Sequence, residues 1–565
     1  MKLFGTKIPR TCNLRTPWMK QPEVPWNEYP RPQMKRESFL CLNGKWDLSC
    51  NGESWGRILV PYPPESQLSG VYRVVGPEDV LEYSRSVVLP EGFEKDRVLL
   101  HFGAVDQIAK VWFNDCFLGE HIGGYLPFSF DVTGLLQEEN RIRVEVIDKL
   151  DHDLPYGKQC YDRGGMWYTP VSGIWQTVWM ESVPDEYMEK LIIHTDMESA
   201  TVTVRGGGAE KWLLFDGKRI PFEGDTVTVR PEEPHLWSPE EPYLYRFSVE
   251  SGDDLVESYF ALRQIDICRV GEFSRLCLNG KPYFFHGLLD QGYFADGIFL
   301  PGAPEGYTFD VQRMKDLGFN TLRKHIKIEP ERFYYDCDRL GMVVFQDLVN
   351  SGPYYYFVDT VLPNGGVKKG ITHHASKRRR EIFEQSARDT LEHLHNHPSI
   401  LYYTLFNEGW GQFDEQRMYE LVKALEPDRI WDATSGWFWN CESDVLSEHI
   451  YFGNLQRMKA DSRPLVLSEF GGYSWRVPGH AFNLDKVYGY KKYTDAVGLE
   501  NALTELYRRD IIPQVKKGLC GAILTQVSDV EDETNGLVTY DRRVVKVRAR
   551  RMRPIGKALA REIEK

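Results

Sequence analysis

The chain has 565 residues, more than one hydrophobic core supports, so we expect three or four domains. Its net charge of −13, from 69 basic and 82 acidic residues, argues against a nucleic-acid partner, because such binding needs a basic face. No run of about 18 apolar residues occurs, and the first residues have no apolar signal-peptide region, so we predict neither a membrane span nor a cleaved secretion signal.

The cysteines bear on the cellular compartment. All ten are scattered singly between Cys12 and Cys520, with no Cys-x-x-Cys pair. This pattern is typical of reduced thiols rather than of a disulfide framework, so we expect a cytoplasmic protein.

The amino-terminal part of the chain reads as β-structure. Residues 1–183 contain short alternating segments between turn residues, such as GKWDLS and NRIRVEVID, and this period-two alternation predicts a β jelly-roll sandwich. Residues 184–266 continue in the same style with ATVTVRG and YLYRFSVES. Their length and strand count predict a small immunoglobulin-like β-sandwich.

From residue 267 to residue 565, apolar strands alternate with amphipathic helices. Eight strand candidates follow one another: YFFHGLL, NTLRKH, MVVFQDL, ILYYTLFNE, RIWDATSG, VLSEHIY, PLVLSEFGG and GAILTQVSD. This count predicts a C-terminal (β/α)8 TIM barrel. An open doubly wound sheet is the alternative, but no GxGxxG motif opens a first helix.

In a TIM barrel the chemistry lies at the carboxyl ends of the strands, so polar residues there are site candidates. Glu408 in LFNEGWG and Glu469 in LVLSEFGG stand out, because each follows an apolar run and is flanked by small residues. Two facing carboxylates suit glycoside cleavage: one protonates the leaving oxygen, and the other attacks the anomeric carbon or activates water. Retention and inversion both stay open at this point, because they differ in the separation of the two carboxyl groups.

Several motifs, in order along nearly the whole chain, resemble glycoside hydrolase family 2, which includes β-galactosidases, β-glucuronidases and β-mannosidases. LNGKWDLS, VWFNDCFLGEHIGGYLPFSFDVT and SGIWQTVWME resemble the family's sugar-binding jelly roll. HLWSPEEPYLY is similar to its immunoglobulin-like domain, and NEGWG and SEFGG are similar to its acid/base and nucleophile motifs.

The resemblance implies a retaining, exo-acting β-glycosidase that works through a covalent glycosyl-enzyme. It implies Glu408 as the acid/base and Glu469 as the nucleophile. Asn407 would bind the sugar 2-hydroxyl, and Arg323 and Tyr451 would contact the nucleophile. The remaining substrate-binding candidates, taken from strand ends and from aromatic residues nearby, are His286, Asp290, His325, Asp347, Trp410, Trp437, His449 and Gln526.

No cofactor or metal is predicted, because the match around Asp347 and His325 is weak where some members hold Mg²⁺ or Na⁺. The expected partner is a carbohydrate, and a homo-oligomer is possible. The long connection from Asn350 to Arg380 is expected to border the site or to contact a second subunit, with the first favoured.

The glycone pocket departs from the family's patterns. HGLLDQGYF follows the first strand, Gln526-Val527 replaces a frequent tryptophan, and no Asn-x-Lys pair, with which β-glucuronidases grip the sugar carboxylate, follows the nucleophile. A β-galactoside is the first choice of substrate, with arabinosides, galactofuranosides, mannosides and glucuronides as alternatives. The competing functions are an inactive carbohydrate-binding protein and an inverting hydrolase or lyase.

Overall fold

An antiparallel β-sandwich forms the amino-terminal part of the computed structural model, which describes residues 14–367, 369–370, 374–453 and 455–565. One sheet contains, in spatial order, Leu40–Cys41, Val178–Val183, Arg97–Phe102 and Phe128–Asp131. The other contains Glu53–Val60, Gly44–Cys50, Val80–Val87, Asn140–Ile147, Ile108–Phe113 and Cys116–Ile122. Gly173–Ile174 pairs with Val105–Asp106, and Thr133–Leu135 is a 3-10 turn.

Alternation in the sequence places the core of this sandwich. In Gly44–Cys50, buried Trp46 and Leu48 alternate with exposed Lys45 and Asp47. Successive side chains of a strand point to opposite faces, so the apolar set lies between the two sheets. The jelly-roll expectation is confirmed.

A second, smaller sandwich follows it. One sheet contains Met188–Thr195, Ala200–Gly206 and Thr226–Val229; the other contains Lys218–Pro221, Trp212–Phe215, Tyr245–Ser251 and Asp254–Phe260. Buried Leu191, Val202, Leu213, Phe247 and Val256 are among the side chains between them. These seven strands form the expected immunoglobulin-like sandwich.

A short antiparallel sheet leads into the barrel, with strands Ile265–Val270, Phe273–Leu278 and Lys281–Pro282. The structure joins Cys268 to Cys277 across its hairpin as a disulfide, with a Cα–Cα distance of 6.3 Å. The expectation of reduced cysteines therefore fails for this pair, because the hairpin brings together two positions nine residues apart. The seven other cysteines of the described residues are free.

Eight parallel strands form the predicted TIM barrel. They are β1 (Phe285–Asp290), β2 (Thr321–Lys324), β3 (Val343–Asp347), β4 (Ile400–Asn407), β5 (Ile430–Ser435), β6 (Leu446–Ile450), β7 (Leu465–Gly471) and β8 (Leu519–Thr525). The hydrogen-bonded order is β5-β4-β3-β2-β1-β8-β7-β6, so β5 and β6 are its two ends. Where β5 and β6 meet, hydrogen bonds between side chains connect the strands instead of backbone hydrogen bonds. The hydroxyls of Ser435, Ser447 and Ser468 lie 2.7–3.4 Å apart.

Helices surround the barrel. The longer ones are Glu305–Leu317, Glu331–Leu340, Lys377–Leu394, Glu415–Leu425, Ala496–Leu506 and Ala549–Ile563. The shorter segments are the helices Leu362–Asn364 and Ile512–Val515, the π-turns Phe357–Val361 and Tyr507–Ile511, and the 3-10 turn Leu455–Arg457. Two further strands, Tyr473–Trp475 and Lys491–Tyr493, pair with each other. Within the described ranges, no helix combines the length and apolarity needed to cross a membrane.

One segment of the jelly roll reaches the carboxyl ends of the barrel strands. We call residues 148–172 the jelly-roll loop. The backbone N–H groups of Tyr156 and Gly157 donate to Asn350 O at 3.0 and 3.4 Å, and the Tyr156 hydroxyl donates to Gly352 O at 2.8 Å. Asn350 and Gly352 follow β3, so the described part of the long connection borders the barrel mouth, and the jelly roll contributes to that mouth.

Candidate active site

Glu408 lies in a tight turn directly after β4. Its backbone N–H donates to Ser435 O on β5 at 2.9 Å, and its carbonyl accepts from Trp437 Nε1 at 2.8 Å. The next residue, Gly409, has a left-handed conformation (φ +70°), and a Cβ there would overlap the Phe438 ring. The turn therefore requires glycine, and it fixes the Glu408 backbone at the barrel mouth.

Glu469 lies within β7, and its carboxylate is held from two sides. Arg323 Nη1 donates to Oε1 at 3.1 Å, and the Tyr451 hydroxyl lies 2.6 Å from Oε2. The Tyr451 ring stacks on Tyr490 at 4.0 Å, and its hydroxyl also lies 2.8 Å from Thr525 Oγ1. Arg323 and Tyr451 thus make the contacts with Glu469 that the sequence predicts, and they hold its carboxylate in one orientation.

His449 on β6 connects the two glutamates. Its Nε2 lies 2.7 Å from Ser435 Oγ and 3.2 Å from Arg323 Nη1. An arginine can only donate, so Nε2 accepts and the ring proton is on Nδ1. Nδ1 then donates to Glu408 Oε1 at 2.8 Å, and it lies 3.6 Å from Glu469 Oε2. Burial lowers the pKa of His449 to about 3, so the imidazole is neutral.

Arg323 on β2 donates hydrogen bonds to several residues of the site. Its Nε donates to Asp347 Oδ1 at 2.9 Å, and Nη2 donates to Asn407 Oδ1 at 2.9 Å. Asp347 also lies 2.9 Å from His325 Nδ1. Burial would raise the pKa of Asp347, but Arg323 and His325 together hold it below its usual range. Because the Asn407 oxygen is occupied, its amide NH₂ is the group left to meet a sugar hydroxyl.

Glu408 and its surroundings suit a proton donor. Burial raises the pKa of Glu408, and the positive charge of Lys158 is the largest influence that opposes this. Lys158 comes from the jelly-roll loop and was missed by the sequence analysis, since nothing in the spacing of the barrel motifs points to another domain. Glu533 was missed as well: its carboxylate lies after β8, against the Tyr168 hydroxyl of the same loop and Gln526 Nε2.

Two predicted residues lie apart from this cluster. His286 on β1 faces the surrounding helices, where it contacts Gly318 O and the Tyr507 hydroxyl at 3.0 Å each. Asp290 accepts from Lys324 Nζ at 2.7 Å in a buried ion network that continues to Glu329. Alternate side chains of a barrel strand face opposite sides, so the β1 positions predicted for substrate are used for packing and charge balance.

The aromatic candidates and Gln526 occupy the wall of the mouth. Trp410 is buried, with Nε1 donating to Gly352 O at 2.8 Å and its edge packed against Trp167 of the jelly-roll loop at 5.1 Å. It therefore joins the loop to the barrel instead of offering an open stacking face. Trp437 supports the Glu408 carbonyl, as described above. Gln526 is buried after β8 and donates to Asn535 Oδ1 at 2.7 Å.

Glu408, His449 and Glu469 also form the one metal-compatible cluster of the described residues, with one potential ligand atom of each within 4.8 Å of the others. The hydrogen bonds given above already explain this proximity. The residues fit a cation by donor type, but no further ligand group is assembled around them in the described part of the chain.

Three family models match successive parts of the chain. "Glycosyl hydrolases family 2, sugar binding domain" matches residues 59–184, and "Glycosyl hydrolases family 2" matches residues 195–263. "Glycosyl hydrolases family 2, TIM barrel domain" matches residues 270–546. The chain belongs to glycosyl hydrolase family 2. The order of the three matches is the order of the three folded units described above.

Relatives in glycosyl hydrolase family 2 are named for more than one sugar. A β-galactosidase of Thermoanaerobacter pseudethanolicus is 23% identical over 74% of this chain and 59% of that protein. A β-glucuronidase of Sus scrofa is 27% identical over 61% of this chain and 58% of that protein. The matches thus span less than two thirds of these relatives, and they do not favour the β-galactoside choice over a glucuronide.

Solved structures of the family share the fold. The β-D-glucuronidase of Dictyoglomus thermophilum superposes with a TM-score of 0.73 at 18% identity, covering 95% of this chain and 98% of that chain. A β-galacturonidase of Eisenbergiella tayi bound to galacturonate gives a TM-score of 0.68 at 18% identity, covering 95% and 99%. At this identity the likeness concerns the arrangement of domains and strands.

Proposed function

We propose that this chain is a retaining, exo-acting β-glycosidase. The observation that carries the proposal is the distance between the two carboxylates, since an oxygen of Glu408 and one of Glu469 lie within 4.8 Å of each other. Retaining enzymes place their carboxyl groups about 5–5.5 Å apart, whereas inverting enzymes need about 6.5–9.5 Å to admit a water. The short separation supports direct attack on the sugar.

The proposed reaction has two displacements. Glu469 attacks the anomeric carbon while Glu408 protonates the leaving oxygen, which breaks the glycosidic bond and forms a glycosyl ester. Glu408, now ionised, then takes a proton from water, which attacks the same carbon and releases Glu469. Asn407 donates to a sugar hydroxyl near the reacting carbon. The Nδ1–H of neutral His449 donates to Glu408 Oε1 both when Glu408 is protonated and when it is ionised.

A terminal sugar suits this mouth better than the middle of a polysaccharide. The jelly-roll loop covers one side of the strand ends, through the contacts of Tyr156 and Gly157 with Asn350. An open cleft would let a chain pass on both sides. The family relatives are named β-galactosidase, β-glucuronidase and β-galacturonidase, so hexosides and hexuronides are the glycones to test first.

The test is hydrolysis of p-nitrophenyl β-galactoside, β-glucoside, β-mannoside, β-glucuronide, β-galacturonide and α-L-arabinoside by the wild type, Glu469→Gln and Glu408→Ala. We expect activity on at least one substrate, and a loss of about 10⁴-fold or more in kcat for Glu469→Gln, because the covalent step is removed. Glu442→Gln, at an exposed position, is the matched control and should keep full activity.

Two further readouts separate the competing mechanisms. Proton NMR of the first-formed product should show the β-anomer, and the α-anomer would indicate inversion. Azide should restore turnover of Glu408→Ala on p-nitrophenyl substrates, because azide needs no general base. Sugar binding without hydrolysis of any substrate would instead support a carbohydrate-binding protein.

A further inference from the structure

Lys158 is a charged residue at the barrel mouth whose role is not accounted for by the contacts described so far. It lies in the jelly-roll loop next to Gly157, whose backbone is fixed to Asn350, and its own carbonyl accepts from Tyr168 N at 3.0 Å. Only 8% of the residue is exposed to solvent. Its Nζ lies 5.4 Å from the centre of the Trp167 ring, and Trp167 packs on Trp410, two residues after Glu408.

Lys158 differs from the other buried lysines in having no ionic partner. Lys211, Lys324, Lys327 and Lys546 are buried, and each has a carboxylate oxygen 2.6–2.8 Å from its Nζ. Among the residues that the structure describes, no carboxylate lies within ion-pair distance of Lys158 Nζ. A lysine with so little exposed surface usually has a carboxylate in contact with its ammonium, because burial of the charge otherwise costs free energy. The four paired lysines show that this chain follows the same rule elsewhere.

Glu533 is the next carboxylate to consider as a partner for Lys158, but both of its oxygens already accept hydrogen bonds from other groups. Its Oε2 contacts the Tyr168 hydroxyl and accepts from Gln526 Nε2 at 3.3 Å, and its Oε1 accepts from Asn535 Nδ2 at 3.4 Å. Burial raises the pKa of Glu533, while the Tyr168 hydroxyl and the charge of Lys158 oppose that rise. Both Glu533 oxygens are therefore engaged by other groups, and neither lies within ion-pair distance of Lys158 Nζ.

An anionic group of the substrate would complete this arrangement. We propose that the glycone is a hexuronic acid, whose carboxylate binds Lys158 while its anomeric carbon meets Glu469. The inference rests on the proposed glycosidase function. It makes Lys158 a specificity-determining residue, supplied to the barrel by the jelly-roll domain. The Trp167 ring beside Nζ limits hydration of the ammonium and so strengthens its attraction for a carboxylate.

The experiment compares kcat/KM on p-nitrophenyl β-glucuronide and β-galacturonide with that on the matched glucoside and galactoside. Lys158→Met keeps the length of the side chain and removes its charge. We expect a fall of about 100-fold on the preferred uronide and less than about five-fold on the neutral sugars, since a site built for a polar group discriminates by that group. Lys149→Met, at an exposed position of the same loop, should change neither.

Folding and binding are measured alongside. Lys158→Met should keep or raise Tm, because it breaks no ion pair and replaces a charged side chain of low exposure with an apolar one. Free glucuronate and galacturonate should bind the Glu469→Gln variant more tightly than glucose and galactose do, by isothermal titration calorimetry, and Lys158→Met should abolish that preference.

The outcomes separate the two proposals. Neutral substrates preferred by the wild type, or an equal loss on all sugars in Lys158→Met, would overturn the uronide proposal while leaving the glycosidase standing. Uronate binding that depends on Lys158, in a protein that hydrolyses none of the glycosides, would support the Lys158 site and overturn the glycosidase. Uronates that bind no better than neutral sugars would count against Lys158 whatever the hydrolysis results.

Discussion

At the scale of single residues, the site gives two neighbouring glutamates different partners, which supports the opposite tasks proposed for them. Glu469 is held by Arg323 and Tyr451, which suits a nucleophile that must keep one orientation. Burial raises the pKa of Glu408, which suits an acid. The groups that act on Glu408 are Lys158, His325, Arg323 and Asp359, with Lys158 the strongest of the charges.

The pH dependence of kcat/KM should report how the charge of Lys158 affects the pKa of Glu408. The Lys158 charge favours the ionised form of Glu408, so its removal raises the Glu408 pKa and keeps the acid protonated to higher pH. In Lys158→Met, the basic limb of the kcat/KM profile should therefore move to higher pH, measured on a glycoside that the variant still hydrolyses. Lys149→Met should leave the limb in place. A limb that stays fixed or moves to lower pH in Lys158→Met would show that the two groups are not coupled.

At the scale of elements, strand ends were predictable and side-chain directions were less so. The parallel barrel brings together residues at or near the carboxyl ends of β2, β4, β6 and β7, and this is why Arg323, Asn407, His449 and Glu469 meet as predicted. His286 lies near the start of β1 and faces the helices, because a difference of one position reverses the side of the strand. An apolar run in the sequence marks a buried strand but not where it begins.

The jelly-roll loop is the element on which the mouth depends most. Gly157 has φ +65°, and a Cβ there would lie 2.9 Å from Ile326 O and from the Tyr125 hydroxyl. Gly157→Ala should displace the loop and Lys158 with it, lowering kcat/KM by about ten-fold or more, since small misplacements at an active site are costly. Gly134→Ala, where nothing lies within 4 Å of the new Cβ, is the control. Equal activity in the two variants would mean that the loop is not needed for turnover.

At the scale of the whole molecule, buried ion pairs tie the domains together. Arg36 donates to Asp254 of the immunoglobulin-like domain at 2.8 and 2.9 Å, and its Nη1 lies 3.4 Å from Glu181 of the jelly roll. Arg31 reaches the same Glu181 at 2.6 Å. The segment before the first strand therefore joins two domains that share no sheet.

Removal of one partner should be costly at this junction. Arg36→Met leaves Asp254 without its buried partner and weakens the charge balance of Glu181, for which the expected destabilisation is about 3–5 kcal/mol. Arg57→Met breaks an exposed pair with Asp47 at 3.5 Å and should cost about 1 kcal/mol or less. Thermal unfolding should show a clearly lower first transition for Arg36→Met alone. Matching transitions in the two variants would rule out a structural role for the junction.

Domain packing marks the limit of what the sequence predicts here. Motifs in chain order predict the three folds and the two glutamates, because each depends on local periodicity or on one barrel. Lys158 and Glu533 depend on how a jelly-roll loop meets the segment after β8, and no local pattern encodes that contact. The Cys268–Cys277 pair was missed for a similar reason, since the register of the hairpin, which pairs Cys268 with Arg275, makes the two cysteines diagonal neighbours.

The position of Lys158 in the jelly-roll loop also means that bond cleavage and sugar selection are proposed to depend on different domains. The carboxylates proposed to cleave the bond lie after residue 320, whereas the cation proposed to select the sugar lies at position 158, in another domain of the chain. Substitutions or exchanged loops in the amino-terminal domain could then redirect the enzyme to a different sugar without disturbing the reacting carboxylates. In evolution or in protein engineering, changes confined to this accessory domain could therefore alter the range of sugars accepted.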